Sequence, residues 1–516
     1  MRVEQKQSVK NSIGRLIFVG LSVLVQIGWF VLLGIRMQRY STELALVGSI
    51  LALLIVLRIY GRHINAAFKI PWTILIMGFP ALGLSLYLLL GQSGANRRMR
   101  KHFENIDTTF DGLNTQNEQV MAQLESENIR IANQSRYITD YAKYPVCQNT
   151  DVEFYDDAAK GLAAQKEALR TAKHFIFMEY HAIEDSESFE GIREILAQKA
   201  SEGVEVRIFY DDVGSVGFIS PEFVKRMEKD GIQCRVFNPM LPVINVFMNN
   251  RDHRKITVID GEIGFTGGYN LANEYFNLTH PYGQWKDTGI RLEGDAVRSL
   301  TVTFLEMWNA VSDRDENDTE FSRFLTDYPY EAQQTGFIQP YADSPLDNEQ
   351  VGEEVYISMV NKAEKYCWFM TPYLIITDEM AHALTLAAKR GVDVRIITPG
   401  IPDKKLIYSV TRSFYHELVK DGVHIYEWTP GFCHAKMSVA DDCMATCGTI
   451  NLDYRSLYHH FENGCFMADC DAVLDIRRDF QETMRECRDV TEKYRTGRSA
   501  YLRLGQLLMR LFAGLL

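Results

Sequence analysis

Three apolar runs lie close together near the N-terminus of the chain. They cover 16–35, 44–57 and 70–90, and each begins beside a charged residue, namely Arg15, Glu43 and Lys69. An uncharged run of about 20 residues is long enough to cross the apolar core of a bilayer. The pattern therefore predicts a membrane segment at 1–101 with two or three transmembrane helices. A cleaved signal peptide is the alternative for the first run, but the run is too long and no small-residue cleavage site follows it.

From residue 151 onward the pattern changes to alternating helices and strands. In the first half it predicts helices at 158–172, 189–200 and 221–229 and strands at 175–180, 204–210 and 233–237. In the second half the order repeats, with helices at 355–363, 380–389 and 407–420 and strands at 367–370, 392–397 and 423–426. Such alternation predicts an α/β fold in which each half has a mixed, largely parallel sheet covered by helices.

The remaining segments complete the predicted domain organisation. A polar connector is expected at 102–146, the two halves at 147–311 and 351–500, an acidic linker at 312–350, and a Leu-rich helix at 501–516. Arg503 and Arg510 are seven residues apart and so lie near one face of this last helix. The helix could rest on a membrane surface or pack on the protein.

One short pattern occurs once in each half, with a shift of 181 positions from His253 to His434. It contains a His, a Lys and an Asp at fixed spacing, followed by a small residue and an Asn. The members are His253, Lys255, Asp260, Gly268 and Asn270 in the first copy and His434, Lys436, Asp441, Thr449 and Asn451 in the second. Because strand residues two apart share a face, each His projects together with its Lys. Each Asp falls in a turn, where it could orient an imidazole or brace the turn.

The repeated residue types suit phosphate chemistry. Lysines and amides can hold the phosphate charge, small residues let an anion approach the backbone, and an imidazole can attack phosphorus or transfer a proton. Covalent phosphodiester exchange needs two such imidazoles, one as nucleophile and one as acid and base, and it needs no metal or other cofactor. Two core hairpins with incidental His residues are the alternative, but a matched pair of motifs argues against it.

The net charge and the cysteines bear on three questions: nucleic-acid binding, the redox state of the compartment and metal binding. The net charge is -12, which is the wrong sign for a broad basic surface that binds nucleic acid. Nine cysteines are scattered without the spacing of a disulfide framework, which favours a reducing compartment. Cys433, Cys443 and Cys447 also lack the spacing of a zinc site, so no metal site is expected.

The paired motif resembles the His-Lys-Asp motif of the phospholipase D superfamily, and the wider sequence resembles its bacterial cardiolipin synthase branch. The resemblance covers about 43–516, and the stretches that carry it are 203–207, 211–215, 249–254, 285–287, 371–373, 390–395, 412–415 and 451–456. It implies N-terminal transmembrane helices followed by two similar phospholipase-D-like α/β halves that form one bilobal catalytic unit.

The resemblance also implies a reaction. A membrane-bound phosphatidyltransferase of this type would use one His to attack phosphatidylglycerol and the other to protonate the departing glycerol. We assign the attack to His253 and the protonation to His434, although the sequence alone leaves the reverse assignment open. A second phosphatidylglycerol would then accept the phosphatidyl group, giving cardiolipin. A phospholipase D or a transferase with another acceptor alcohol is the alternative, and a nuclease of the same superfamily is a more distant one. A membrane scaffold without turnover is a different class, and two complete motifs argue against it.

The remaining expectations concern substrate contacts and location. The residues expected to bind substrate from the motif are Gly268, Thr449, Asn270 and Asn451, and the resemblance adds Tyr373, Arg412, Arg455 and Glu462. This chain departs from the family pattern at His460, where the pattern has Asn. The expected partners are phosphatidylglycerol and membrane lipids, without nucleic acid, and a homodimer is left open. We expect an integral, multi-pass protein of the bacterial plasma membrane. The basic cluster at 97–101 favours a cytoplasmic catalytic region, although the basic residues at 2–15 favour the same side for the N-terminus and three spans cannot satisfy both.

Overall fold

The computed structural model describes residues 14, 17–29, 32, 36, 42–91, 94–110, 112–220, 222–240, 249–311, 321–326, 328–347, 349–496 and 504–515. The first predicted apolar run lies partly outside these residues, and the acidic stretch 312–320 lies wholly outside them. Residues 17–29 are helical. The N-terminal helices that follow are α1 (Thr42–Tyr60), α2 (Ala66–Gly78), α3 (Pro80–Leu86), a π-helical turn (Tyr87–Gly91) and α4 (Gly94–Phe110).

The third apolar run is not one helix. It breaks at Phe79, whose φ of -140° is not helical, and α3 starts with Pro80 at its first position. A Cβ on Gly83 would lie 2.5 Å from the Cα of Ile76, so a glycine is needed for α3 to pack this closely on α2. Within the described ranges, none of the helices has both the length and the apolar character that crossing a bilayer demands.

The connector is helical and packs on the second half. It forms α5 (Glu118–Glu127) and α6 (Ile129–Ala142). The Tyr137 hydroxyl on α6 donates to Glu349 at 2.7 Å, and Gln339 donates to the Ser135 carbonyl at 3.0 Å. The segment 102–146 therefore belongs to the folded body of the protein.

Each half is built around one sheet. The first half contains β1 (Thr150–Tyr155), α7 (Ala158–Thr171), β2 (Phe175–Tyr180), α8 (Glu187–Ser201), β3 (Glu205–Asp211), α9 (Asp212–Ser215), α10 (Phe223–Lys229), β4 (Gln233–Phe237), β5 (Arg251–Asp252), β6 (Lys255–Ile259), β7 (Ile263–Gly267), β8 (Gln284–Lys286), β9 (Gly289–Gly294) and α11 (Val297–Ala310). Short 3-10 helices lie at Asn273–Phe276 and Phe321–Phe324.

The second half repeats this order, with β10 in the place that β1 holds in the first sheet and with three additional short strands, β12, β18 and β20. It contains β10 (Phe337–Asp343), α12 (Val351–Lys362), β11 (Tyr366–Met370), β12 (Leu374–Ile375), α13 (Asp378–Lys389), β13 (Asp393–Pro399), α14 (Lys405–Val419), β14 (His424–Trp428), β15 (Gly431–Cys433), β16 (Met437–Ala440), β17 (Met444–Gly448), β18 (Leu452–Asp453), α15 (Tyr454–Tyr458), β19 (His460–Ala468), α16 (Asp471–Arg485), β20 (Cys487–Asp489) and α17 (Thr491–Arg495). Because β10 pairs along its whole length with β19, the expectation that 312–350 is only a linker is wrong for this strand.

The strand order is β1-β9-β7-β6-β2-β3-β4 in the first sheet and β10-β19-β17-β16-β11-β13-β14-β20 in the second. Among neighbouring strands in these two orders, β2-β3-β4 and β11-β13-β14 pair in parallel, and the other neighbours pair antiparallel. The expectation of a largely parallel sheet is therefore wrong, because each motif strand turns straight back in a hairpin and such connections make antiparallel pairs.

The C-terminal helix α18 (Leu504–Leu511) lies on α14. Arg510 donates to Glu417 at 3.2 Å, and its guanidinium sits 4.0 Å from the centre of the Phe414 ring. Its opposite face leaves Leu504 and Leu508 exposed. One face of the helix thus packs on the protein, and the other presents apolar side chains.

Candidate active site

Two short strand pairs join the halves and bring the repeated motifs together. β5, which directly precedes His253, runs parallel to the start of β19, and β15, which directly precedes His434, runs parallel to β8. The His253 amide donates to the Phe461 carbonyl at 2.8 Å, and the His434 amide donates to the Lys286 carbonyl at 2.7 Å. The next residue after each of these carbonyls is acidic. The same register therefore places a carboxylate from one half beside the imidazole of the other.

Each imidazole is held by that carboxylate. Nδ1 of His253 lies 2.9 Å from both oxygens of Glu462, and Nδ1 of His434 lies 2.6 Å from Asp287 Oδ2. A carboxylate accepts, so Nδ1 carries the hydrogen in both rings and Nε2 keeps its lone pair. All four side chains are buried. The two imidazoles are thus oriented for reaction at Nε2.

The orienting role of these acids is not visible in the motif itself. Asp287 was part of a resembling stretch without a role, and Glu462 was expected to contact substrate. Asp287 lies two residues before Gly289, and Glu462 lies two residues before Gly464. These two glycines pair with Gly267 and Gly448, which end the second strand of each motif hairpin. This shared position relative to the hairpin is the sequence signal that could have identified them as equivalents.

The two lysines lie beside their histidines. Lys255 Nζ donates to the His253 carbonyl at 2.6 Å, and Lys436 Nζ likewise donates to the His434 carbonyl. Lys436 Nζ also lies 2.8 Å from Nδ1 and 3.0 Å from Nε2 of the His434 ring. Burial lowers the pKa of Lys255 to about 7 and that of Lys436 to about 8. An anion bound between them would restore their charged form, so the pair is suited to hold a phosphate.

The imidazoles influence each other electrostatically. Burial holds the pKa of His253 well below its usual value, and the charges of Lys255, Lys436 and His434 lower it further. Burial and then Lys436 lower the pKa of His434 to about 3, against the opposing effect of Asp287. Burial alone would raise the pKa of Asp287, but His434 and Lys436 bring it below its usual value. The two motifs therefore share one site, in which both rings are neutral at neutral pH before substrate binds.

Asp260 and Asp441 do not orient the imidazoles. The Asp260 carboxylate accepts from the amides of three residues at the start of β2 at 2.7 to 2.8 Å, and that of Asp441 accepts from the equivalent three at the start of β11 at 2.7 to 2.9 Å. Both have positive φ, 55° and 53°, as the tight hairpin turn requires. Asp260 lies at the end of β6 opposite to Lys255, so the expected catalytic role is replaced by bracing of the turn.

The small residues of the motif serve the orienting acids. A Cβ on Gly268 would lie 2.0 Å from Asp287 Oδ1, so this glycine makes room for the carboxylate. At the equivalent position, the Thr449 hydroxyl donates to Glu462 and its amide donates to the Asn463 carbonyl. Gly268 and Thr449 thus both contact the carboxylates that hold the histidines, a role not predicted from the sequence, and a substrate contact of these two residues stays a prediction.

The two Asn residues differ in their surroundings. Asn270 accepts from the Ala182 amide at 3.1 Å and donates to the Tyr275 hydroxyl at 2.8 Å, and the Tyr275 ring centre lies 5.2 Å from that of His434. Asn451 Oδ1 is buried without a hydrogen-bond partner in the described part of the chain. Asn270 therefore holds Tyr275 beside His434. Asn451 stays a candidate for a phosphate contact through its side-chain NH2 group, because a phosphate oxygen accepts and the amide nitrogen can donate.

Three further expected substrate contacts are bonded to protein groups. Tyr373 donates to Asp403 at 2.5 Å, and Arg412 donates to buried Glu427 at 2.7 Å. Arg412 also donates to the Tyr408 hydroxyl on its own helix at 2.9 Å, so its guanidinium joins α14 to β14. The substrate contacts expected of Tyr373 and Arg412 stay predictions. Arg455 Nε donates to Nε2 of His460 at 3.1 Å, beside the first motif.

Comparisons with known proteins agree with this architecture. A family model described as the phospholipase-D-like domain of cardiolipin synthase matches residues 166–308 and 356–484. An uncharacterized protein of Streptococcus mutans is 41% identical over 461 residues, which cover 89% of this chain and 99% of that protein. A cardiolipin synthase of Halalkalibacterium halodurans is 32% identical over 474 residues, which cover 90% of this chain and 91% of that protein.

A solved structure shows the same fold. The crystal structure of phosphatidylserine synthase from Haemophilus influenzae superimposes with a TM-score of 0.55 and 15% sequence identity. The match covers 74% of this chain and 97% of that one.

Proposed function

The chain belongs to the cardiolipin synthase family of phospholipase-D-like proteins, and we propose that it transfers a phosphatidyl group from one phosphatidylglycerol to another, releasing glycerol and forming cardiolipin. The observation that carries this proposal is the pair of buried imidazoles, each held at Nδ1 by a carboxylate from the opposite half. Two imidazoles with lone pairs at Nε2 and two adjacent lysines provide a nucleophile, a proton carrier and a phosphate clamp.

In the first step Nε2 of His253 attacks the phosphorus of phosphatidylglycerol. The bond between phosphorus and the glycerol oxygen breaks, and His434 gives a proton to that oxygen. Lys255 and Lys436 hold the negative charge of the phosphate oxygens. Each lysine donates to the carbonyl of its own histidine, but Lys436 Nζ also lies 3.0 Å from Nε2 of His434. This contact occupies the lone pair of His434 Nε2 and supports His253 as the nucleophile.

In the second step the phosphatidyl group leaves His253. His434 removes a proton from a hydroxyl of the second phosphatidylglycerol, the resulting oxygen attacks phosphorus, and the bond to His253 breaks. His434 must carry a proton at the start of the cycle although its pKa in the free protein is about 3. The bound phosphodiester supplies a negative charge beside both lysines and so favours protonation of this ring.

We further propose that the N-terminal helices lie in the bacterial plasma membrane, as an integral multi-pass segment with the catalytic region in the cytoplasm. Large apolar side chains are exposed on these helices, including Phe18, Leu21, Leu24, Val25, Trp29, Leu46, Ile50, Leu54 and Leu57. Phe68 of α2 packs edge-on against Tyr454 and Tyr458 of α15, the helix that carries Arg455. This contact supports a site that opens close to the lipid surface, where both substrates reside.

The test uses purified full-length protein in vesicles whose only phospholipid is phosphatidylglycerol. Mass spectrometry is expected to detect cardiolipin with the native chain and none with His253→Ala or His434→Ala, and a phosphatidyl adduct on His253 is expected to accumulate in the second variant. Phosphatidic acid as the main product would instead indicate a phospholipase D. Substantial cardiolipin from either single variant would refute the two-histidine reaction.

A further inference from the structure

A cluster of three potential metal ligands includes a histidine that the proposed reaction does not use. One ligand atom each from His253, His460 and Glu462 lie within 4.8 Å of one another. Glu462 is between the two rings, at 2.9 Å from His253 Nδ1 and 3.5 Å from His460 Nδ1. All three side chains are buried. A buried cluster of two imidazoles and one carboxylate is therefore present next to the attacking atom of the site.

The second ring of this cluster has an unsatisfied atom. His460 Nδ1 is buried without a hydrogen-bond partner among the described residues, since 3.5 Å is too long for a hydrogen bond to Glu462. Buried polar nitrogens are normally paired, so an orphaned one needs an explanation such as an ion. His460 is also the position where the family pattern has Asn, so the additional ligand is a departure of this chain from that pattern.

We propose that His253, His460 and Glu462 bind one Zn²⁺ ion, which reversibly inactivates the protein. Two His and one Glu form a ligand set of known zinc sites, with the fourth position left to water. Imidazole ligands favour zinc and similar transition metals over Mg²⁺ and Ca²⁺, which prefer oxygen. Zinc bonds of about 2.0 to 2.2 Å place tetrahedral ligands roughly 3.4 Å apart, so side-chain movements on the order of 1 Å would close the site.

Inactivation follows from the atom that zinc would occupy. Nδ1 of His253 now donates its hydrogen to Glu462, which leaves Nε2 with the lone pair that attacks phosphorus. A zinc ion would take the lone pair of Nδ1, so the single N–H hydrogen of the neutral ring would move from Nδ1 to Nε2. The nucleophile would then be blocked. This consequence rests on the proposed function, whereas zinc binding itself does not.

Arg455 opposes the zinc-bound state. Its Nε donates to Nε2 of His460 at 3.1 Å, which keeps the hydrogen of that ring on Nδ1. Zinc on Nδ1 would shift the hydrogen to Nε2, so Arg455 would have to release the ring. Replacement of Arg455 by Gln is therefore expected to strengthen zinc binding, which a merely structural role for this arginine does not predict.

The binding test uses chelator-treated, detergent-solubilised full-length protein and zinc chloride in titration calorimetry. We expect one site per chain, a loss of affinity of at least about tenfold in His460→Asn, and tighter binding in Arg455→Gln. The matched control is His459→Asn, because His459 is the neighbouring histidine and its Nε2 lies 2.8 Å from the Gly514 carbonyl. Equal zinc affinity in the native chain and in His460→Asn, or no binding by the native chain, would overturn the site.

The activity test separates inhibition from binding. Zinc is expected to stop cardiolipin formation by the native chain and by His459→Asn, with recovery after a chelator is added, while His460→Asn needs at least about tenfold more zinc for the same effect. Binding at the cluster without inhibition would refute the inactivation. If no cardiolipin forms under any condition, the proposed function fails and the calorimetric result still decides whether the zinc site exists.

Discussion

At the scale of single residues, the reactive groups depend on partners that are far away in the sequence. Glu462 is 209 residues from His253, and Asp287 is 147 residues from His434. Residue spacing within the motif could identify His253 and His434, because strand geometry brings each His and Lys together. It could not identify the acids, since these are brought in by pairing between the halves. The Asp of each motif, seven residues after its His, braces a turn instead.

Replacing the orienting acids should abolish most of the activity without unfolding the protein. Asp287→Asn and Glu462→Gln keep the side-chain size but remove the negative charge that fixes the Nδ1–H form of each ring. We expect the rate of cardiolipin formation to fall by about 10²- to 10⁴-fold, as for other imidazoles that lose a carboxylate partner. The measurement is the initial rate on phosphatidylglycerol vesicles, with thermal unfolding followed by circular dichroism.

Asp260→Asn is the matched control for these two variants. Its carboxylate accepts three backbone amides at the start of β2, so the change should lower the free energy of unfolding by about 1 to 3 kcal/mol. The rate per folded molecule should stay near that of the native chain. A loss of rate in Asp260→Asn as large as that in Asp287→Asn would show that the turn Asp acts in catalysis after all.

The rate should fall as the pH rises from 6 to 9. The pKa values of Lys255 and Lys436, about 7 and 8 in the free protein, mean that both ammonium charges are lost in this range. Both lysines clamp the phosphate only when charged, so kcat/KM, which reports the free protein, should decrease. Stability should change in the opposite direction, because the unfolded chain binds more protons than the folded one in this window. A kcat/KM that increases up to pH 9 would contradict the clamp.

At the scale of secondary structure, periodicity was sufficient for the helices and strands that alternate within each half. β2 and β4 have the predicted bounds, and α7 differs by one residue at its end. Strand direction was predicted less well, since it depends on which strands become neighbours in the sheet. β10 was missed for the same reason. Its seven residues lie in a segment whose sequence resembles a linker, and they form a strand by pairing with β19.

The cross-half strand pair β8-β15 is the element that places His434 against Asp287. A Cβ on Gly431 would lie 1.9 Å from the Gln284 carbonyl oxygen, so Gly431→Ala should separate these strands. We expect a large loss of rate together with lower thermal stability. Gly505→Ala is the control, because nothing lies within 4 Å of the added Cβ there. Native-like rates in Gly431→Ala would show that this pairing does not position the site.

At the scale of the whole molecule, the duplication produces one site rather than two. Each half supplies one imidazole and the carboxylate that orients the other imidazole, so neither half contains a complete set. Hydrophobic patterning predicted two similar halves, and the resemblance implied that they share a site. The exchange of acids between them could not be derived from either half alone, because it arises only when β5 meets β19 and β15 meets β8.

Because all of these pairings occur within one chain, the active unit should be a single polypeptide. His253→Ala and His434→Ala, purified separately and then mixed in the same vesicles, should stay inactive, since neither chain can provide the missing imidazole to the other. The measurement is cardiolipin formation in the mixture relative to an equal amount of native protein. Recovery of about a quarter of the native rate or more would require exchange of halves between chains, and the site would then belong to a domain-swapped homodimer.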